Sequence, residues 1–170
     1  FSIPLPPLPE QKKIAEILST VDRAIEKVDE DIEKTQRLKK GLMQELLTKG
    51  IGHKEFKNTE MGRIPREWEI LNLSEVFRLA SGKSRPSEIS DIRTEKMLYP
   101  IYGGNGILGY TNQSMINKET IVIGRVGEYC GSIHKTTKFS WITDNALYAT
   151  NVLNHNLNLD FLTYWLTFLN

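Results

Sequence analysis

The chain has 170 residues, a length that suits one compact domain together with an extended element. Its 22 Lys and Arg residues nearly balance its 21 Asp and Glu residues, so the net charge of +1 neither indicates nor excludes a nucleic-acid partner. The single cysteine, Cys130, excludes an internal disulfide framework and a multi-cysteine zinc site, and it is typical of a cytoplasmic protein. The apolar run 161–169 is too short to span a membrane, so we expect no membrane partner.

Residues 1–8 are rich in proline, and we expect them to be extended and to form the tail of a preceding domain. Pro9 followed by Glu10 predicts a helix start, because proline fits the first helical turn and an acid there complements the helix dipole. Lys49 and Gly50 predict the end of the helix. The helix 9–50 would be roughly 60 Å long at about 1.5 Å per residue.

Apolar residues within this helix follow alternating spacings of four and three, which is the pattern of a coiled-coil seam. The pattern weakens at Thr35 and then changes phase. An exposed seam of this length predicts a partner helix, either from a missing part of the same subunit or from a second copy. The predicted seam residues are Ile14, Leu18, Val21, Ile25, Val28, Ile32, Leu38, Leu42 and Leu46.

Residues 51–67 are polar and contain Gly62 and Pro65, so we interpret them as a linker. A second domain, 68–170, would begin at Trp68, and we expect it to be truncated at its C-terminus.

The second domain contains short β-branched runs, 120–123 and 132–134, which are separated by glycines and predict twisted strands. Residues 74–77 predict a short helix, and the apolar spacing in 156–168 predicts another. The predicted fold class is therefore α+β, a long coiled-coil helix followed by a strand-rich mixed α/β domain.

Residues 104–109 match the dinucleotide-binding pattern G-x-G-x-x-G. The match is weak, because that pattern requires a helix after the third glycine, whereas residues 110–113 predict strand and turn. We interpret the segment as a mobile loop whose glycines permit close approach to a large surface. Asn105 could hydrogen-bond to a base edge there.

Basic and aromatic residues recur on the glycine-rich segments of the second domain. Lys and Arg on loops suit phosphate contacts, and Arg, Asn and Gln suit base edges, although scattered surface charge is the alternative explanation by composition. The candidate DNA-binding residues are Lys83, Arg85, Tyr102, Gly103, Gly104, Asn105, Gly106, Arg125, Tyr129, Lys135 and Lys138.

The sequence presents no recognisable catalytic constellation. His53, His134 and His155 lie far apart and lack the spacing of metal ligands. Asp91 and Glu95 are not joined by another acid at a spacing that a nuclease would use. We therefore expect no enzymatic activity, no metal site and no cofactor in this chain.

Long stretches of the sequence resemble a known family. Residues 3–52, which begin IPLPPLPEQKKIAEIL, and residues 59–70, TEMGRIPREWEI, resemble the central conserved region of type I restriction–modification specificity subunits and the start of their second target-recognition domain. Residues 99–112, YPIYGGNGILGYTN, and residues 119–149 resemble target-recognition domains of that family. The resemblance covers nearly the whole chain.

The resemblance implies a non-catalytic subunit whose recognition domain reads one half of a bipartite double-stranded DNA site. The long helix would pack antiparallel to a second helix, set the half-site spacing and dock methyltransferase subunits that use S-adenosylmethionine. A restriction subunit can join such an assembly. The glycine loop 103–109 and residues 125–138 would face DNA. A coiled-coil protein–protein adaptor without DNA reading is the alternative, and it leaves the basic, glycine-rich second domain unexplained.

Overall fold

The computed structural model describes residues 1–152 and 157–170. The chain divides into two compact units, Phe1–Lys54 and Glu55–Asn170, which we call the helical unit and the sheet unit. Within the described residues, no helix is both long enough and apolar enough to cross a membrane.

The helical unit consists mainly of α1, Leu8–Lys49, which runs for 42 residues without a break. The helix begins at Leu8, one residue earlier than the sequence predicts. Pro7 occupies the N-cap position, and Glu10 lies in the first turn. Gly50 ends the helix with a φ of 66°, and its N–H donates to the Leu46 carbonyl at 3.1 Å. The positive φ favours glycine at this position, because glycine has no Cβ.

The predicted seam is exposed along its whole length. Its side chains have relative exposures between 43% at Leu46 and 62% at Leu38. Ion pairs on the helix surface, such as Arg37–Glu33 at 3.6 Å, are exposed and contribute little stability. The apolar seam of α1 therefore lacks a covering within its own unit.

The segment predicted to be a linker instead contains a β-hairpin. Strand β1, Phe56–Thr59, pairs antiparallel with β2, Gly62–Pro65. Gly62 opens β2 with a φ of 100°, a conformation that favours glycine. The Arg63 guanidinium lies 4.9 Å from the centre of the Phe56 ring. The sheet unit accordingly starts at Glu55, before the boundary that the sequence predicts at Trp68.

The sheet unit confirms the predicted α+β class. The short helix expected near residue 74 is α2, Leu73–Val76, whose N-terminus is closed by a reciprocal Asn72–Glu75 capping box. The strands that follow are β3 Phe77–Ser81, β4 Tyr99–Gly103, β5 Gly106–Thr111, β6 Ile121–Gly124, β7 Ile133–Lys135, β8 Trp141–Ile142 and β9 Ala146–Val152.

These seven strands form two sheets. One sheet has the order β3-β9-β6-β7 with antiparallel neighbours throughout. The other has the order β5-β4-β8, in which β4 and β5 form a hairpin and β8 runs parallel to β4. The chain passes from one sheet to the other four times, between β3 and β4, β5 and β6, β7 and β8, and β8 and β9.

The final helix, α3 Leu159–Leu169, closes the core of the four-stranded sheet. Leu162 and Leu166 pack in the same cluster as Ile121 of β6. The opposite face of β6 presents Val122 to a second cluster, which also contains Ile142, Tyr102 and Ala146. The predicted start of this helix at Asn156, and His155, lie outside the described residues.

Candidate nucleic-acid interface

Four connections of the sheet unit meet at one end of its strands. They are residues 81–83 at the end of β3, the turn 104–105 between β4 and β5, the loop 125–132 between β6 and β7, and the turn 144–145 between β8 and β9. We call this region the loop edge. Backbone hydrogen bonds join three of these connections, and side-chain hydrogen bonds to the Gly104 carbonyl hold the turn 104–105, so the relative positions of all four are fixed by the fold.

The chain after β3 is held against the turn between β8 and β9. Lys83 N–H donates to the Ile142 carbonyl at 2.9 Å, and Asp144 N–H donates to the Lys83 carbonyl at 2.9 Å. Gly82 N–H donates to the Ala146 carbonyl at 3.1 Å. A Cβ at position 82 would collide with the Thr143 carbonyl, so only glycine allows this approach.

The loop between β6 and β7 is tied to both of these segments. Arg125 N–H donates to the Asn145 carbonyl at 3.0 Å, and the Arg125 Nη1 donates to the Ser81 hydroxyl at 3.1 Å. Gly131 N–H donates to the Gly124 carbonyl at 2.8 Å and closes the base of the loop. Arg125 is therefore oriented at the loop edge while its side chain remains exposed.

The turn between β4 and β5 presents Asn105 to solvent. Gly103 pairs with Gly106, whose φ of 86° permits the tight reversal. Strand β5 begins inside the segment that matches the dinucleotide pattern. The helix that nucleotide binding requires is therefore absent from this fully described segment, as the sequence predicts.

Several predicted site residues come together at the loop edge. Lys83, Asn105, Arg125 and Tyr129 are exposed, and Tyr129 is 44% exposed. Within the described residues, the side chains of Lys83 and Asn105 have no hydrogen-bond partner. Arg85 is exposed two residues after Lys83. This set offers cations for phosphate oxygens and an amide for a base edge.

Three predicted contact residues have structural roles instead. Tyr102 is 5% exposed and packs in the second core cluster, and its hydroxyl accepts a hydrogen bond from Thr137 N–H at 3.3 Å. Gly103 and Gly106 are buried. These residues shape the turn from within, so we assign Tyr102 to the core rather than to a DNA contact.

Lys135 lies at the end of β7 away from the loop edge. Its Nζ is 2.5 Å from Asp160 Oδ1 and 3.5 Å from Glu119 Oε2. The hydrogen bond with Asp160, reinforced by the charges of both acids, raises the pKa of Lys135 above 10.5. The charge of Lys135 is therefore paired with two acids of the same unit, and we do not count Lys135 among the residues of the loop edge.

Lys138 also lies away from the loop edge. The neighbouring Phe139 ring is 6.1 Å from the ring of Tyr99, which starts β4 at the end opposite the turn. Only the tertiary structure separates Lys135 and Lys138 from Arg125, because all three lie within one stretch of 14 residues in the sequence.

Four residues that support the loop edge carry no individual prediction from the sequence, although Ser132 and His134 fall within the range 125–138 that the family resemblance places against DNA. Ser81 and Asn145 orient Arg125, and Ser132 and His134 contact the turn that carries Asn105. The Asp144-Asn145 pair is a turn signal that could have drawn attention to the connection before β9. The roles of Ser81, Ser132 and His134 depend on pairings between distant segments and have no local signal.

Known proteins that are similar to this chain are specificity subunits of type I restriction enzymes. The family model described as the type I restriction modification DNA specificity domain matches residues 1–35 and 65–170. The MjaVIII specificity subunit of a type I restriction enzyme from Methanocaldococcus jannaschii is 51% identical over 84 residues, which cover 49% of this chain and 20% of the relative. The putative MjaX specificity subunit of the same organism is 40% identical over 136 residues, covering 72% of this chain and 32% of the relative.

Two solved structures share the fold. A type I restriction–modification S subunit from M. genitalium superposes with a TM-score of 0.62 at 20% identity, covering 95% of this chain and 42% of that one. The HsdS subunit from Thermoanaerobacter tengcongensis gives a TM-score of 0.51 at 21% identity, covering 98% and 42%. The chain thus spans a fifth to a third of the two M. jannaschii relatives and about two fifths of these structures. Because the family model matches well over half of its residues, this chain belongs to the family of type I restriction–modification DNA specificity domains.

Proposed function

We propose that the sheet unit recognises one half of a bipartite double-stranded DNA sequence through its loop edge. The observation that carries this proposal is the convergence of four strand connections around Lys83, Asn105 and Arg125. Cations fix a protein on the phosphate backbone, and an amide can form two hydrogen bonds to adenine in the major groove. Family membership supports the same conclusion, because the matching family model describes a DNA specificity domain.

The helical unit would set the distance between two half-sites. A continuous helix of 42 residues spans roughly 60 Å at about 1.5 Å per residue. Its exposed seam supports pairing with a second helix, from another part of a longer subunit or from a second copy. Methyltransferase subunits would dock on this helical frame, and a restriction subunit could join them.

We propose that the chain contributes recognition and no chemistry of its own. S-adenosylmethionine would bind to the methyltransferase subunits, and the assembly would act in the cytoplasm. The adaptor alternative explains the exposed seam equally well. It gives no reason for exposed cations and an exposed amide at the end of an ordered set of loops, so we favour DNA recognition.

The test is a selection from random DNA duplexes with the 170-residue chain. We expect one short motif to be enriched, and we expect its affinity to fall as salt rises, because bound cations release counterions from DNA. Binding to the selected duplex is then compared with binding to a scrambled duplex by fluorescence anisotropy. Equal affinity for both duplexes would contradict sequence-specific recognition, and no binding to either would favour the adaptor.

A further inference from the structure

The turn that carries Asn105 is held from beneath by β7 and the residue before it. His134 Nε2 lies 3.1 Å from the Gly104 carbonyl oxygen, and the Ser132 hydroxyl also bonds to that oxygen. Because a carbonyl only accepts, His134 carries its proton on Nε2 when it makes this bond. One backbone oxygen at the tip of a hairpin thus has two side-chain donors from another sheet.

The two donors are not equivalent. The Ser132 hydroxyl has one proton and also lies 2.7 Å from the Tyr129 carbonyl oxygen, so it can donate to only one of the two carbonyls at a time. In the bonded tautomer, the His134 N–H has the Gly104 carbonyl as its recorded acceptor. His134 is therefore the more constant restraint on the turn.

The His134 ring also fills the space beneath the turn. A Cβ at Gly106 would lie 3.3 Å from His134 Cε1, so the ring packs directly against the glycine backbone. A side chain at Gly104 would lie 3.4 Å from Gly124 Cα and 3.7 Å from Tyr129 Cβ. The turn is enclosed on these sides, and Asn105 alone projects into solvent from its two central residues.

We infer that His134 is a positioning residue for DNA reading, which holds the Gly104 carbonyl and thereby fixes Asn105 for contact with a base edge. This inference rests on the proposed function. A side chain must be held within a fraction of an ångström to form paired hydrogen bonds, and supporting bonds to the backbone provide that precision. Ser132 assists through the same carbonyl, while Asn105 makes the contact with DNA.

The experiment uses all 170 residues and two duplexes, the one selected by the wild type and its scrambled version. We expect His134→Ala to lower the affinity ratio between the two duplexes roughly tenfold, the size of effect that loss of one amide–base contact produces. Affinity for the scrambled duplex and its salt dependence should stay unchanged, because phosphate contacts do not depend on the turn. His134→Gln retains a side-chain N–H and should restore most of the ratio.

Two further variants separate positioning from folding. Ile133→Val loses one half-buried methylene on the adjacent residue of β7 without changing the bonds to Gly104, and it should keep the affinity ratio of the wild type. Asn105→Ala should lower the affinity ratio between the two duplexes as much as His134→Ala does. The double variant Asn105→Ala/His134→Ala should lower it no further than either single variant, because both act on one contact. Hydrogen exchange of the peptide covering 102–108 should become faster in His134→Ala and stay unchanged in Asn105→Ala.

The outcomes distinguish the inference from the proposed function. If the wild type selects no duplex, the proposed function fails and the inference falls with it. If the wild type selects a motif that His134→Ala reads with the same ratio, only the positioning role is overturned. Equal loss in His134→Ala and His134→Gln together with unchanged exchange would likewise overturn it, because the missing N–H would then not be the cause.

Discussion

Lys135 Nζ lies 2.5 Å from Asp160 Oδ1, which ties the end of β7 to the first turn of α3. Glu119, just before β6, approaches the same ammonium group at 3.5 Å. The Lys135 side chain is 30% exposed and the Asp160 side chain is 62% exposed, so water screens the pair. The ion pair stabilises the position of α3 over the core only modestly. It also neutralises the charge of Lys135, a residue that the sequence alone predicts to contact DNA.

The stabilisation from Lys135 should depend on alkaline pH. The pKa of Lys135 is raised above 10.5, so its benefit is fully present below that value and is lost as pH rises through the higher folded pKa. We expect Lys135→Met to lower the free energy of unfolding by less than about 1 kcal/mol at neutral pH. The difference in Tm between the variant and the wild type should shrink toward zero at strongly alkaline pH. A difference that stays constant there would contradict the assignment.

Arg125 and Lys135 should differ in their effect on DNA binding, although sequence analysis treats them alike. If Arg125 neutralises a phosphate, Arg125→Ala should reduce the slope of log affinity against log salt by about 1. Lys135→Ala should leave that slope unchanged, because its charge faces Asp160 and Glu119. Fluorescence anisotropy at several salt concentrations measures both slopes. An equal reduction in the two variants would show that Lys135 also reaches DNA.

Gly82 should be far less tolerant of substitution than Gly41. A Cβ at position 82 would collide with the backbone carbonyls of Ile142 and Thr143, which cannot move without breaking the hydrogen bonds between residues 82–83 and residues 142–146. We expect Gly82→Ala to destabilise the sheet unit by about 1–3 kcal/mol, the usual cost of overpacking. Thermal and urea unfolding measure the change.

Gly41→Ala is the matched control for that substitution. Position 41 lies inside α1 with no atom within 4 Å of a new Cβ, so the change removes a poor helix former without a clash. It should stabilise the helix by about 0.5–1 kcal/mol. If Gly82→Ala and Gly41→Ala had the same sign, the close approach at Gly82 would not be decisive for folding.

The seam of α1 should mediate association through its apolar side chains. Ile25 is 54% exposed on the seam, whereas Thr20 is exposed off the seam. We expect Ile25→Lys to weaken self-association strongly, because a coiled-coil core excludes an unpaired charge. Thr20→Lys adds the same charge off the seam and should have little effect. Sedimentation equilibrium compares the two, and a folded wild-type monomer at high concentration would count against a helix pair between copies.

Local sequence patterns predicted the secondary structure well where one segment determines its own conformation. The spacing of Ile14, Leu18 and Val21 predicts α1, and Gly50 marks its end, because both signals act within a few residues along one helix. The hairpin at Phe56–Thr59 and Gly62–Pro65 was missed. Gly62 was interpreted as an interruption of structure, although its positive φ is what permits β2 to start.

The candidate site was predicted only in part, and the division has a physical cause. Residue type identified Lys83, Asn105 and Arg125 as suitable for DNA, since cations and amides have the chemistry that phosphates and bases require. Residue type could not show that Tyr102 is buried or that Lys135 faces two acids. Those facts depend on which strands pair and which helix covers them.

The sequence by itself determined the long amphipathic helix, the change to short strands after it and the resemblance to the specificity-domain family. These features are encoded in local periodicity and in contiguous motifs. The tertiary structure alone decided which polar side chains share the loop edge. Contacts such as Arg125 with Ser81 and His134 with Gly104 join residues that are 44 and 30 positions apart. Such pairs form only after the strands have assembled, because hydrogen bonding and close packing between distant segments are properties of the assembled sheets.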